Sequence, residues 1–197
     1  MIDNLKWLTI KTDVYNKYKH LPPTIETFDI RVDAVEAGWF DMFLSVSGRE
    51  YKVVLSSFPE PFIGIRQWLE DIIVCTDRLG ITLNVDCDTQ WNTLFHIEHL
   101  TSYEKDEVLF YLYDTTEDDY LSGYLDLEQF VRVFYTTILN YALEGEKTES
   151  FQQNWLEYFS DEEYPDGLLS SAFRSEIIET YLVLKNRYET RRKFTND

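Results

Sequence analysis

Apolar and polar residues alternate over much of the first half of the chain, and after residue 124 the period changes. Phe28, Ile30 and Val32 are separated by Asp29 and Arg31, the two-residue repeat of a strand with one buried face. The runs Trp39–Val46 and Tyr51–Ser56 follow, with Ser47 and Gly48 between them, which predicts a β-hairpin. Behind Pro61, a residue suited to a first helical turn, Phe62, Ile65, Trp68, Leu69, Ile72 and Thr76 recur at three- and four-residue steps. That spacing predicts a helix over 61–78, ended at Gly80, with Arg66, Glu70 and Asp71 on its wetter side. The runs ITLNVDCD (81–88), TLFHIEHL (93–100) and EVLFYLYD (107–114) are strand-length segments of an antiparallel meander.

Beyond residue 124, Leu127, Phe130, Val131, Phe134, Ile138, Tyr141 and Ala142 take helical spacing and stop at Gly145. Phe151, Trp155, Tyr158 and Phe159 predict a short helix. Phe173, Ile177, Tyr181, Leu184 and Tyr188 predict a longer one, whose basic end RYETRRK suits the helix dipole. Strands come before helices, so the fold class read here is α+β. The expected architecture is an N-terminal antiparallel meander with one inserted helix, followed by C-terminal helices packing on the sheet. Residues 1–197 are read as a single domain, mostly β over 28–124 and helical over 125–192.

The segment DTTEDDYLSGYLDLEQF (114–130) resembles a calcium loop at first sight. With Gly123 at the sixth position of an EF-hand loop, Asp118, Tyr120, Ser122, Asp126 and Gln129 fall at positions 1, 3, 5, 9 and 12. Tyr120 is no useful ligand, and Gln129 offers one neutral oxygen where a bidentate carboxylate is wanted. The residues fit a different reading, in which Asp126 caps the helix that follows and Gln129 completes a capping box. Asp114, Glu117, Asp118 and Asp119 then form an acidic loop between a strand and that helix.

Charge sharpens the picture. The chain carries a formal −18. Residues 1–100 contribute −6, residues 101–170 contribute −14, and residues 171–197 contribute +2. Nucleic acid and anionic membranes would be repelled, whereas a basic protein partner would be attracted. Two cysteines, Cys75 and Cys87, make no disulfide framework. The N-terminal residues lack the apolar core of a signal peptide, and no run approaches the ~20 apolar residues of a membrane span. A cytoplasmic protein is expected, with no cofactor.

Other chemistry finds little material. His96 and His99 in HIEH would fall on opposite faces of a strand and so would not form a zinc pair. Asp86 and Asp88 flank Cys87 and would raise its thiol pKa, which disfavours a nucleophile. The chain has no nucleophile elbow and no phosphate-binding glycine motif.

One stretch carries a resemblance. A hairpin ending VVLSS, then FPEPFIGIRQWLEDI, then an alternating meander resembles a loose group of uncharacterised bacterial cytoplasmic α+β proteins, and also immunity proteins of bacterial toxin systems. It covers residues 28–113 and implies a fold more than a function, with no residue carried over. The expectation is a non-enzymatic protein-binding protein, an immunity-like inhibitor that offers an acidic surface to a basic toxin. Asp114, Glu117, Asp118 and Asp119, with Asp161, Glu162 and Glu163, are the expected partner-binding residues. The alternatives are a self-associating structural protein, suggested by the 16% aromatic content, and an Asp/Glu metal-dependent hydrolase using Asp114, Glu117, Asp118 and Asp119. The sequence leaves the oligomeric state open.

Overall fold

Ser47 and Gly48 both take positive φ, 47° and 81°, and Val46 pairs directly with Arg49 across them. Two central residues with positive φ make a two-residue hairpin turn whose twist matches that of the flanking strands. The turn joins β2 (Trp39–Val46) to β3 (Arg49–Ser56), and β1 (Phe28–Val32) pairs antiparallel with β2 on its other side. In the computed structural model, residues 23–33, 38–56, 61–74, 81–87, 91–99, 106–114, 119–154 and 168–195 are described.

Among the described residues a second sheet contains β4 (Ile81–Cys87), β5 (Trp91–His99), β6 (Glu107–Asp114) and β7 (Asp119–Asp126), antiparallel in that order. The meander expected from alternation is therefore present, but the strands divide between two sheets. β7 corrects the expected acidic loop, because Asp119–Asp126 is a strand paired along its whole length with β6.

Gly123 shows what the glycine in this segment is for. It lies inside β7, opposite Phe110. A Cβ there would stand 2.5 Å from Cγ1 of Ile25 and 2.9 Å from the carbonyl oxygen of Pro23. Residues 23–25 run parallel to β7 across this gap. The Ile25 N–H donates to the Tyr124 carbonyl at 2.7 Å, and the Tyr124 N–H donates to the Pro23 carbonyl at 2.9 Å. The same stretch continues through Thr27, whose carbonyl accepts from the Ser47 N–H at 2.8 Å, into β1. One continuous segment thus ties the second sheet to the first, and it fits because residue 123 has no side chain.

Helix α1 (Phe62–Val74) buries Phe62, Ile65, Trp68, Leu69 and Ile72, the stripe that the spacing predicts. The predicted residues 75–78 lie outside the described ones. Helix α2 (Leu127–Gly145) begins where Asp126 accepts a hydrogen bond from the Gln129 N–H at 2.8 Å, the expected cap. Both helices serve both sheets. Phe28 of β1 contacts Phe130 and Phe134 of α2, with ring centroids 5.1 and 6.3 Å away, and Phe110 of β6 at 6.0 Å. Trp68 of α1 reaches Phe95 of β5, Phe130 and Phe134. Phe40 of β2 meets Phe62 and Tyr141 edge-on. The aromatic content therefore builds one shared core, where each ring pair adds roughly 0.5–1.5 kcal/mol beyond area burial.

Among the described residues, two short helices, α3 (Glu149–Asn154) and α4 (Leu169–Phe173), and the long α5 (Glu176–Thr195) follow. Gly145 ends α2 against the ring of Phe151, which would lie 2.6 Å from a Cβ. Segment 168–175 is fastened at three places. Glu146 accepts from the Ser170 N–H and from its hydroxyl, both at 2.6 Å. Arg66 donates to the Ala172 carbonyl at 2.5 Å. The Tyr135 hydroxyl accepts from the Ser175 N–H at 2.9 Å and donates to Glu179 at 3.1 Å. Ser175 Oγ then accepts from the Ile178 N–H at 3.2 Å, which starts α5 one turn later than the apolar spacing suggests. Ile178 and Leu182 are consequently its buried residues, while Ile177 and Leu184 of the predicted stripe face solvent.

Candidate functional site

The β6–β7 register fixes what becomes of the acidic segment. The last facing pair of the hairpin is Asp114 with Asp119, next to Tyr113 with Tyr120, and the connecting residues TTED include Glu117 and Asp118. Two acids at facing positions of an antiparallel pair repel one another. Glu117, Asp118, Asp161, Glu162 and Glu163 lie outside the described residues. Of the seven acids expected to meet a partner, the structure therefore brings together Asp114 and Asp119.

Neighbouring acids are engaged in holding the fold. Asp106 pairs with Lys185 of α5, Asp126 caps α2, and Glu128 pairs with Arg132 one turn along the helix. Glu144 pairs with Lys147 at 2.7 Å, and Glu146 holds Ser170. On the outer face of the first sheet, cross-strand neighbours Arg31, Phe43 and Lys52 form a row. The Arg31 guanidinium lies 4.2 Å from the Phe43 ring centroid and the Lys52 ammonium 5.9 Å. Arg31 also pairs with Asp33 and Glu50, and Lys52 pairs with Asp41. The cations on this face thus have local carboxylate partners.

A second group of polar residues sits on the face of the four-stranded sheet turned away from α1 and α2. Register aligns His96, Tyr111 and Ser122 in one row and Glu98, Leu109 and Tyr124 in the next. His96 is 1% exposed and Ser122 is 0% exposed. His96 Nε2 lies 3.4 Å from Glu98 Oε1, and the His96 ring is 5.9 Å from that of Tyr111. Burial, reinforced by the negative charge of Glu98 and by Tyr124, pushes the Tyr111 phenol well above its usual range, so it stays protonated. Alternation along β5, β6 and β7 is the only sequence signal for this row, and it becomes visible once β7 is recognised as a strand. His99 stands three residues from His96 on β5, an odd separation that puts the two positions on opposite faces. Among the described residues no group of three or more His, Cys, Asp or Glu is arranged to hold a metal ion.

No helix among the described residues is long and apolar enough to cross a membrane. No protein-family model matches the chain, and neither a curated protein nor a solved structure does so.

Proposed function

We propose that this protein works by binding a basic protein, as an immunity-like inhibitor that engages a cationic toxin through the β6–β7 hairpin end. The observation carrying this reading is the register pair Asp114–Asp119, which sits on a paired hairpin inside a segment of net charge −14. Positions held by strand pairing have an advantage over positions on an unpaired chain, because little ordering entropy is lost on contact. Facing acids also gain from a cation brought between them. The long-range field of a chain carrying −18 favours encounter with a positively charged partner.

The test is affinity capture from the native lysate with the full tagged chain, at low and at high salt, with bound proteins identified by mass spectrometry. The reading expects a stoichiometric basic protein at low salt that is released at high salt. An empty bait at both salts, or a partner retained equally at both, would contradict it.

A further inference from the structure

Among the described residues, helix α5 exposes Ile177, Val183 and Leu184. Ile177 is 46% exposed and Leu184 is 57% exposed, and they lie seven residues apart, on one face about 20° from eclipsed. The helix turns its other side, Ile178 and Leu182, to the core. Along one flank of the exposed stripe stand Glu176 and Arg187, both exposed. Neither has an ion-pair partner among the described residues.

We infer that α5 is the contact between two copies of this chain, packed antiparallel across a two-fold axis midway between Ile177 and Leu184. That axis sets Ile177 of each copy against Leu184 of the other, so both are covered together. Residues on the same flank meet across an antiparallel helix pair. Glu176 therefore faces Arg187 of the second copy with an axial offset of two residues, about 3 Å. The arrangement is self-complementary, as a two-fold interface requires. On the opposite flank Lys185 already holds Asp106 of its own chain, and Arg174, which precedes the helix in extended backbone, holds Glu179. Antiparallel helices also set opposite dipole ends side by side.

The charge pattern selects a second copy over an unrelated apolar partner. Two molecules that each carry −18 repel one another over most of their surfaces. The region 171–197, at +2, is where that repulsion is absent. A single helix pair is smaller than a standard stable interface, so the dimer is a weak one, in reversible exchange with monomer. This contact involves neither Asp114 nor Asp119, and it stands or falls independently of the proposed partner.

Sedimentation equilibrium of the full chain over a wide concentration range tests it. Wild type is expected to rise towards twice the monomer mass as concentration increases. Glu176→Arg alone and Arg187→Glu alone should each remain monomeric, because each places like charges across the axis. The double variant Glu176→Arg/Arg187→Glu should recover the wild-type curve, which a merely structural defect would not do. Leu184→Gln, at a solvent-exposed position, should also abolish the rise with no change in thermal midpoint. A wild-type chain that is monomeric throughout would overturn the inference. So would a dimer that survives both single charge reversals.

Discussion

Replacing Gly123 with alanine tests the link between the two sheets. The new Cβ would meet Ile25 Cγ1 at 2.5 Å, Ile25 Cδ1 at 2.9 Å and the Pro23 carbonyl oxygen at 2.9 Å. The Ile25 side chain can shift, but the carbonyl belongs to a backbone held by hydrogen bonds on both sides of Tyr124. Overpacking of this kind costs about 1–3 kcal/mol. If residues 23–25 move away from β7, the two bridging hydrogen bonds weaken as well, each worth roughly 0.5–1.5 kcal/mol net. Opposing this, alanine restricts the unfolded chain and contributes about 0.4–1 kcal/mol of stability. The expected net loss is about 2 kcal/mol, which corresponds to a fall of roughly 4–8 °C in thermal midpoint for a chain of this size. Gly64→Ala is the matched control. Its Cβ would meet only Leu83 Cδ1, at an ordinary 3.9 Å, and helix propensity favours alanine by up to about 1 kcal/mol. Urea unfolding of the two variants should therefore move the midpoint in opposite directions. A Gly123→Ala protein as stable as wild type would refute the parallel docking of residues 23–25 against β7.

Other expectations concern the helical half and the acidic tip. Tyr135→Phe leaves the buried Ser175 N–H without its acceptor and removes the donor to Glu179, a loss of about 1–3 kcal/mol measurable by urea titration. Burial, with help from Glu179, pushes the Tyr135 phenol up to about 12 from its usual 10.0. The folded state therefore favours the protonated phenol. Its contribution is intact below pH 10 and disappears as pH rises through about 12, so alkaline unfolding should be less steep in Tyr135→Phe. Glu146→Ala should release segment 168–175 by removing both hydrogen bonds to Ser170; faster proteolytic cleavage there, with the β half intact, is the readout. Asp114→Asn/Asp119→Asn should raise the stability of the free protein by about 0.2–1 kcal/mol, because like charges at facing positions no longer repel.

Much of the fold was legible in local spacing, and its omissions share a cause. The stripes of α1 and α2 and the Ser47–Gly48 turn follow from local periodicity and turn chemistry, and they appear where those rules place them. β7 was hidden because DYLSGYLD combines acids, Ser and Gly, residues that locally favour a loop. Pairing with β6 and the approach of Pro23–Ile25 make it a strand, and the second of these contacts is remote in sequence. For α5 the spacing of Ile177 and Leu184 is as helical as that of Ile178 and Leu182. Tyr135 and Ser175, forty residues apart, decide which pair is buried. Likewise, the acids of 114–119 are conspicuous in composition, but only register sets Asp114 opposite Asp119. Tyr135 itself escaped the periodic reading of α2, which selected the half-exposed Tyr141 in its place.

The most direct test of the binding account compares wild type with Asp114→Asn/Asp119→Asn as bait, side by side at low salt, quantifying the captured basic protein per bait molecule. The account predicts stoichiometric capture by wild type and a marked loss for the variant, even though the variant is the more stable protein. Equal capture by both would contradict the assignment of the β6–β7 hairpin end as the recognition surface.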